Sequence, residues 1–280
     1  MQRLREKRVT AVILTYNRVH EAIKRCVELE SQTRVPDEVV LVDNGSTDGT
    51  ANLIAHRFPW VKILRLPENT GPAGGYAAGF TDAMKRTCDF IWAIDDDVVV
   101  SAQCLEFLLA EASAQPLKVV FPTRLPPDRR QGVGWHGVLV PEGIVRSVGV
   151  PRAEFFWWME DTEYFLYRIR DKAGFGLTVS SEAVVWNHSQ RARRGYPGWK
   201  LYYETRNTMY YRLYINRNMR KHLRNMARLA GRLVAIVFRE EHGATKAGLM
   251  IRGFRDGLVG ALGKTVDPLN ERSVSRRPAK

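Results

Sequence analysis

The chain has 280 residues, 45% of them apolar, enough for the core of one large domain or of one domain with an appendage. Its net charge of +13 is uneven: residues 201–280 carry 17 Lys and Arg against 6 Asp and Glu, whereas residues 1–200 carry 26 against 24. Cys26, Cys88 and Cys104 offer neither a disulfide framework nor a zinc site, so a reducing compartment is expected. The charged start Met1–Arg8 argues against a signal peptide, and no run is long enough to span a bilayer.

Residues 9–17 read as a first strand running into a polar turn, and residues 19–31 as a helix. Residues 38–43 form a second strand, closed by Asn44-Gly45-Ser46-Thr47-Asp48-Gly49, whose side chains can cap a helix over about 49–57. A third strand over 61–66 precedes Asn69-Thr70-Gly71-Pro72-Ala73-Gly74-Gly75 and a helix to about Thr87. Phe90-Ile91-Trp92-Ala93-Ile94 reads as a buried central strand that ends in Asp95-Asp96-Asp97. A helix over 101–115 and a strand over 119–122 follow. Residues 123–150, rich in Gly and Pro, are expected as hairpins or loops. An aromatic-acidic stretch and helix over 155–174, short strands at 177–179 and 183–186, and a basic loop over 191–198 complete the main body. From Trp199 onward the pattern is helical. This strand–helix repetition predicts an α/β fold with a mostly parallel sheet and helices on both faces.

Three adjacent carboxylates repel one another, and a divalent cation with oxygen ligands offsets that repulsion. The carboxyl ends of parallel strands are also where ligands usually bind. Thr15-Tyr16-Asn17, Asp43 and Asp95-Asp96-Asp97 should therefore share one sheet edge. Taken alone, the triplet reads equally well as a solvated loop, and Asp43 as a turn aspartate. Asn69, Gly71, Gly74 and Gly75 allow close backbone approach to a ligand, without the dinucleotide or Walker pattern. In Phe155-Phe156-Trp157-Trp158-Met159-Glu160-Asp161-Thr162-Glu163-Tyr164, rings beside carboxylates suit a sugar and a general base, or simply a helix with core aromatics.

Thr15-Tyr16-Asn17-Arg18, Val42-Asp43-Asn44-Gly45-Ser46-Thr47-Asp48, Asn69-Thr70-Gly71 and the triplet together resemble the family 2 glycosyltransferases of the GT-A fold, over residues 9–215. The resemblance implies a GT-A catalytic domain over 1–200, with a nucleotide-sugar half over about 9–122 and an acceptor half over about 123–200. It implies that Thr15, Tyr16, Asn17, Asp43, Asn69, Gly71, Gly74, Asp95 and Asp96 hold the donor, and that Asp95, Asp97 and His188 hold Mn²⁺ or Mg²⁺. Glu160-Asp161 looks like the acidic acceptor motif, with Asp161 as base and Trp157, Trp158 and Glu160 meeting the acceptor; Glu163, three residues after Glu160, can share its helix face and is expected to bind an acceptor hydroxyl. Arg191, Arg193 and Arg194 could neutralise a diphosphate. Arg206-Asn207 resembles the pair of bacterial rhamnosyl- and galactofuranosyltransferases and is expected near the donor or acceptor. The implied reaction is inverting transfer from UDP-galactofuranose or dTDP-rhamnose to a glycan or polyprenyl-linked acceptor of the cell envelope.

Residues 201–280 read as a basic helical region. Met219, Leu223, Met226, Leu229, Leu233 and Ile236 fall on one helical face, and Arg220, Arg224, Arg228 and Arg232 on another. A basic amphipathic helix suits an anionic membrane surface, which places the protein in the cytoplasm at the inner face of the plasma membrane. Packing on its own domain or on a second subunit of a homo-oligomer fits equally. Nucleic acid is disfavoured by the scarcity of aromatics toward the end. Two rival functions are a nucleotidyltransferase and a non-catalytic membrane-associated module. The first lacks its basic glycine loop after strand one, and the second leaves the triplet and Asp161 without use.

Overall fold

A computed structural model describes residues 7–126, 133–187, 196–217, 219–240 and 242–268. His188, Arg191, Arg193 and Arg194 lie outside the described residues. The chain forms two units: residues 1–153 with 161–189, and residues 154–160 with 190–280.

In the first unit, β1 (Val9–Thr15) is buried along its whole length, which its apolar run requires. β2 (Glu38–Asp43), β3 (Val61–Arg65) and β4 (Phe90–Asp95) join it in parallel, in the order β3-β2-β1-β4. The crossovers are α1 (Val19–Glu30), α2 (Thr50–Arg57) and α3 (Gly71–Ala83). Alternation along β1 divides the core. Val9, Ala11 and Ile13 pack with Cys26, Leu29 and Ile54, whereas Val12 and Leu14 pack with Tyr76 and Phe80. Glycines seat α3 directly on the sheet: a Cβ on Gly75 would lie 2.3 Å from Leu14 Cδ1, and one on Gly79 2.5 Å from Val12 Cγ1.

After the triplet the chain enters β5 (Val98–Val100), α4 (Cys104–Ala114), β6 (Lys118–Leu125), β7 (His136–Pro141) and α5 (Glu142–Val148). A π-wound helix, Thr162–Lys172, and β8 (Gly176–Asn187) complete the unit. The sheet has eight strands in the order β3-β2-β1-β4-β7-β6-β8-β5. Four of its seven pairings are parallel and three antiparallel. The expected α/β fold is present, with three corrections. The 123–150 stretch supplies β7, antiparallel to β6 in the expected hairpin, but also a helix, α5, where none was expected. The two short strands near 177–186 are one 12-residue strand, whose register with β6 shifts between Pro122 and Thr123. α3 stops at Ala83, short of Thr87.

The second unit contains α6 (Gly198–Tyr210), a π turn (Tyr211–Ile215), α7 (Met219–Arg239) and α8 (Gly243–Leu258). A Cβ on Gly253 would lie 2.4 Å from Tyr202 O, and one on Gly257 2.5 Å from Arg206 O, so these glycines let α8 lie against α6. The expected single apolar face of α7 is divided. Leu229, Leu233 and Ile236 pack with Leu201 and Met250, whereas Leu223, Val234, Val237 and Phe238 are exposed.

Candidate active site

The register of the sheet assembles the polar edge. Thr15 stands beside Asp43, and Leu14 beside Asp95, so the carboxyl ends of β1, β2 and β4 are neighbours. The turns after β1 and β2 are knitted together. Asn17 takes a left-handed backbone (φ 50°), and its Oδ1 accepts from Thr47 N at 2.8 Å while its own N–H donates to Ser46 Oγ at 2.9 Å. Gly45 (φ 79°) sits so close to Glu68 that a Cβ would meet its backbone at 2.7 Å. Asn44 Oδ1 accepts from Thr70 N at 2.9 Å, and Asn69 Oδ1 from Gly71 N at 2.8 Å, which fixes the start of α3. Gly74 has no room for a side chain either: a Cβ would stand 2.5 Å from Thr70 Oγ1. Asn17 and Asn69 thus shape loops with their side chains, while Tyr16 is half-buried beside them.

Asp43 is fully buried and accepts from Ser46 N at 2.9 Å through Oδ1. Its Oδ2 finds no hydrogen-bond donor among the described residues; the nearest cation, Arg65 Nε, is 3.7 Å away. A buried carboxylate oxygen with spare capacity is costly unless a donor arrives.

The three aspartates have separate environments. Tyr76 donates its hydroxyl to Asp95 Oδ1 at 2.7 Å and stacks on Trp135 at 4.3 Å. Burial, then the Asp95 charge, push the Tyr76 phenol well above its ordinary range, which keeps it a donor. Asp96 accepts from Thr15 Oγ1 at 2.8 Å and from Arg18 at 2.8 Å. Burial nevertheless pushes its carboxyl up to about 6. Asp97 is more open, at 28% exposure, with Arg18 3.2 Å away. Asp95 and Asp97 are oxygen donors that suit a hard divalent cation, and a guanidinium already supplies positive charge beside Asp97. Among the described residues, no three His, Cys, Asp or Glu side chains converge as a metal shell.

Asp161 accepts from Thr162 N at 2.5 Å, and burial raises its pKa from the ordinary aspartate value. His136, at the head of β7, lies 3.3 Å from Asp95 through Nδ1. Burial alone would lower its pKa, but the Asp95 carboxylate outweighs that and the net shift is upward. The sequence reading passed over His136; Trp135-His136 between two glycines was the available signal. Glu163 differs from expectation. It is 1% exposed and gripped by both sides of the Arg168 guanidinium, with Arg152 3.4 Å away. That carboxylate anchors its own helix and is not placed to meet an acceptor hydroxyl.

In the second unit, Phe156 (φ 63°), Trp158 (φ 76°) and Met159 (φ 74°) all adopt the left-handed backbone, a strained arrangement for side-chain-bearing residues. Trp157 and Trp158 lie 5.3 Å apart, Trp199 is 5.3 Å from Trp157, and Lys200 Nζ lies over Trp157 at 5.2 Å. Glu160 is buried. The fully buried Arg206-Asn207 pair supports this loop from beneath. Asn207 Nδ2 donates to Phe155 O (2.9 Å), Trp157 O (2.8 Å) and Trp158 O (2.9 Å), and Arg206 donates to Phe155 O at 2.9 Å. Arg206 also donates to Gly263 O at 2.6 Å, and Tyr203 donates its hydroxyl to Val266 O at 2.8 Å. The pair expected near the donor or acceptor spends its hydrogen bonds on the aromatic loop.

A model of the family described as "Glycosyl transferase family 2" matches residues 10–178. Galactofuranosyltransferase GlfT1 of Mycobacterium tuberculosis is 29% identical in an alignment 207 residues long that covers 62% of this chain and 68% of that protein. Among solved structures, TarS of S. aureus (residues 1–349) matches with TM-score 0.55 at 14% identity, over 91% of this chain and 72% of the other. GalNAc-T7, crystallised with UDP, GalNAc and Mn²⁺, matches with TM-score 0.54 at 15% identity, over 65% of this chain and 44% of the other.

Proposed function

The chain belongs to glycosyl transferase family 2, and on that premise we propose that it is an inverting glycosyltransferase using a nucleotide-sugar donor. The observation that carries this reading is the register that sets the ends of β1, β2 and β4, with Thr15, Asp43 and the triplet, on one sheet edge. Asp43 Oδ2 would accept the N3–H of a pyrimidine base, displacing the loose Arg65 contact. Asp95 and Asp96 would take the ribose. Asp97, with Asp95, would hold a divalent cation, which supplies positive charge to the leaving diphosphate when bound. Asp161 would accept the proton of the acceptor hydroxyl as that oxygen attacks the anomeric carbon from the face opposite the leaving group. One displacement inverts the stereochemistry without a covalent intermediate. A carboxyl raised by burial is a better match to such a proton than an ordinary one. Trp157 and Trp158 offer faces on which an acceptor sugar can stack.

Of the two donors, the likeness to a galactofuranosyltransferase supports UDP-galactofuranose. The acceptor is a glycan or polyprenyl-linked glycan of the cell envelope. No helix among the described residues is long and apolar enough to cross a membrane. Exposed Leu223, Val234, Val237 and Phe238 beside Arg220, Arg224 and Arg228 support docking of α7 on an anionic bilayer at the inner face of the plasma membrane. The test is UDP and dTDP release from UDP-galactofuranose and dTDP-rhamnose, with a glycan acceptor and Mn²⁺ or Mg²⁺. Acceptor-dependent UDP release is expected; release from neither donor under any metal condition would refute the reading.

A further inference from the structure

His136 is drawn into the site by the strand pairing. β7 runs antiparallel to β4, and the bulge between Ala93 and Ile94 brings His136 opposite Ile94, one residue before the triplet. The Asp95 N–H donates to Trp135 O at 2.9 Å, which fixes the backbone on both sides of the contact. The imidazole then has two working edges. On one, Nδ1 is buried, lies 3.3 Å from Asp95 Oδ2, and makes no well-aligned hydrogen bond among the described residues. On the other, the ring packs against Gly134, whose missing side chain is what lets the imidazole come so close. A Cβ there would stand 3.0 Å from His136 Nε2 and 3.9 Å from Asp161 Oδ2.

Asp95 is therefore held at Oδ1 by Tyr76 and approached at Oδ2 by His136, while the same imidazole and Asp161 both border the space beside Gly134. A carboxylate so constrained cannot rotate freely, and the group that constrains it also lies beside the second acid of the site. We propose that His136 is a positioning residue common to both halves of the reaction, orienting Asp95 on the donor side through Nδ1 and, packed against Gly134, bounding the space in which Asp161 sits on the acceptor side. The proposal rests on the reading of Asp161 as the base. Side chains that orient ligating or reacting groups typically matter by about 10–100-fold when removed. His136 is the first residue of β7 and only partly buried, and glutamine keeps a polar side chain of similar reach there, so the replacement should spare the fold.

The experiment is a double-mutant cycle on kcat with His136→Gln and Asp161→Asn, together with calorimetry of UDP in the presence of Mn²⁺ and a thermal melt for each variant. His136→Gln is expected to keep its melting temperature, lose about 10–100-fold in kcat and bind UDP·Mn²⁺ more weakly. In the Asp161→Asn background the same substitution should cost less than about threefold, because groups acting through one another are not additive. Gly134→Ala, whose Cβ would meet the imidazole at 3.0 Å and push it off Asp95, should lower kcat and weaken UDP·Mn²⁺ binding together. Fully multiplicative losses in the cycle, or wild-type kcat in Gly134→Ala, would overturn the proposal. Wild-type turnover in Asp161→Asn would overturn the assignment of the base and this proposal with it. A collapsed Asp161→Asn with multiplicative losses removes the role of His136 alone.

Discussion

Asn207→Asp isolates one amide group. The Asn207 Nδ2 donates to the carbonyls of Phe155, Trp157 and Trp158, while its Oδ1 accepts from Arg206 Nε at 2.8 Å. An aspartate keeps the shape and the Arg206 contact but turns a donor into an acceptor facing three carbonyl oxygens. Phe155 O retains Arg206 as a donor, so two carbonyls lose this one. At about 0.5–1.5 kcal/mol net per hydrogen bond, that loss is about 1–3 kcal/mol before repulsion is counted. The left-handed residues Phe156, Trp158 and Met159 add a driving force for the loop to relax, at about 1–3 kcal/mol each. Asn207→Asp should therefore be less stable than Asn207→Ala, which leaves space in place of repulsion. Urea denaturation of the three proteins measures this. In kinetics, the acceptor KM should rise while UDP affinity by calorimetry stays level, since the loop carries Trp157 and Trp158 and no donor residue. If Asn207→Asp denatures at the wild-type urea concentration, the amide is not what holds the loop.

Asp161→Asn tests the raised carboxyl by linkage. A folded-state pKa above the unfolded value means that the folded protein binds the extra proton, so stability falls as pH rises through that window. The asparagine variant should thus melt higher than wild type at neutral pH and equally in acid; a lower melting temperature at neutral pH would contradict the shift. Gly75→Ala should destabilise by about 1–3 kcal/mol in denaturant titration, because the added Cβ meets Leu14 Cδ1 at 2.3 Å on a fully buried helix face. Phe238→Ser, at an 82% exposed position, should leave stability unchanged and weaken sedimentation with anionic vesicles. Binding of the wild-type protein should also fall with salt, given a Debye length of about 8 Å at physiological ionic strength. Equal sedimentation with neutral and anionic vesicles would argue against the electrostatic part.

The sheet edge was legible because its signals are local. Buried β-branched runs end abruptly in polar residues, and parallel topology alone then brings Thr15, Asp43 and Asp95 together. What stayed hidden depends on backbone conformation and close approach. Nothing in the letters Phe156, Trp158 and Met159 announces a left-handed backbone, so the need for Asn207 beneath them was invisible, and the Arg-Asn pair was given a supporting role near the donor or acceptor without the loop it supports. Glu163 was read from helix spacing, which says nothing of Arg168 five residues later gripping it in a π-wound turn. α5 was masked by the glycines and prolines around it, and His136 lay in a stretch legible only as hairpin or loop. The glycines of α8 read as punctuation, although Gly253 and Gly257 mark where two helix backbones nearly touch.

The ties from Arg206 to Gly263 and from Tyr203 to Val266 have a consequence in the order of synthesis. The ribosome makes Phe155–Met159 about a hundred residues before it makes the segment that completes their support, and α6 emerges between the two. Domains generally fold from the N-terminus as they appear. The sheet of the first unit therefore has its strands in hand by residue 187, while the aromatic loop waits for the last helices. Until α6 emerges, Phe155, Phe156 and Trp157 are without Tyr210, Tyr203 and Trp199, the rings they pack on, and the nascent loop then needs protection.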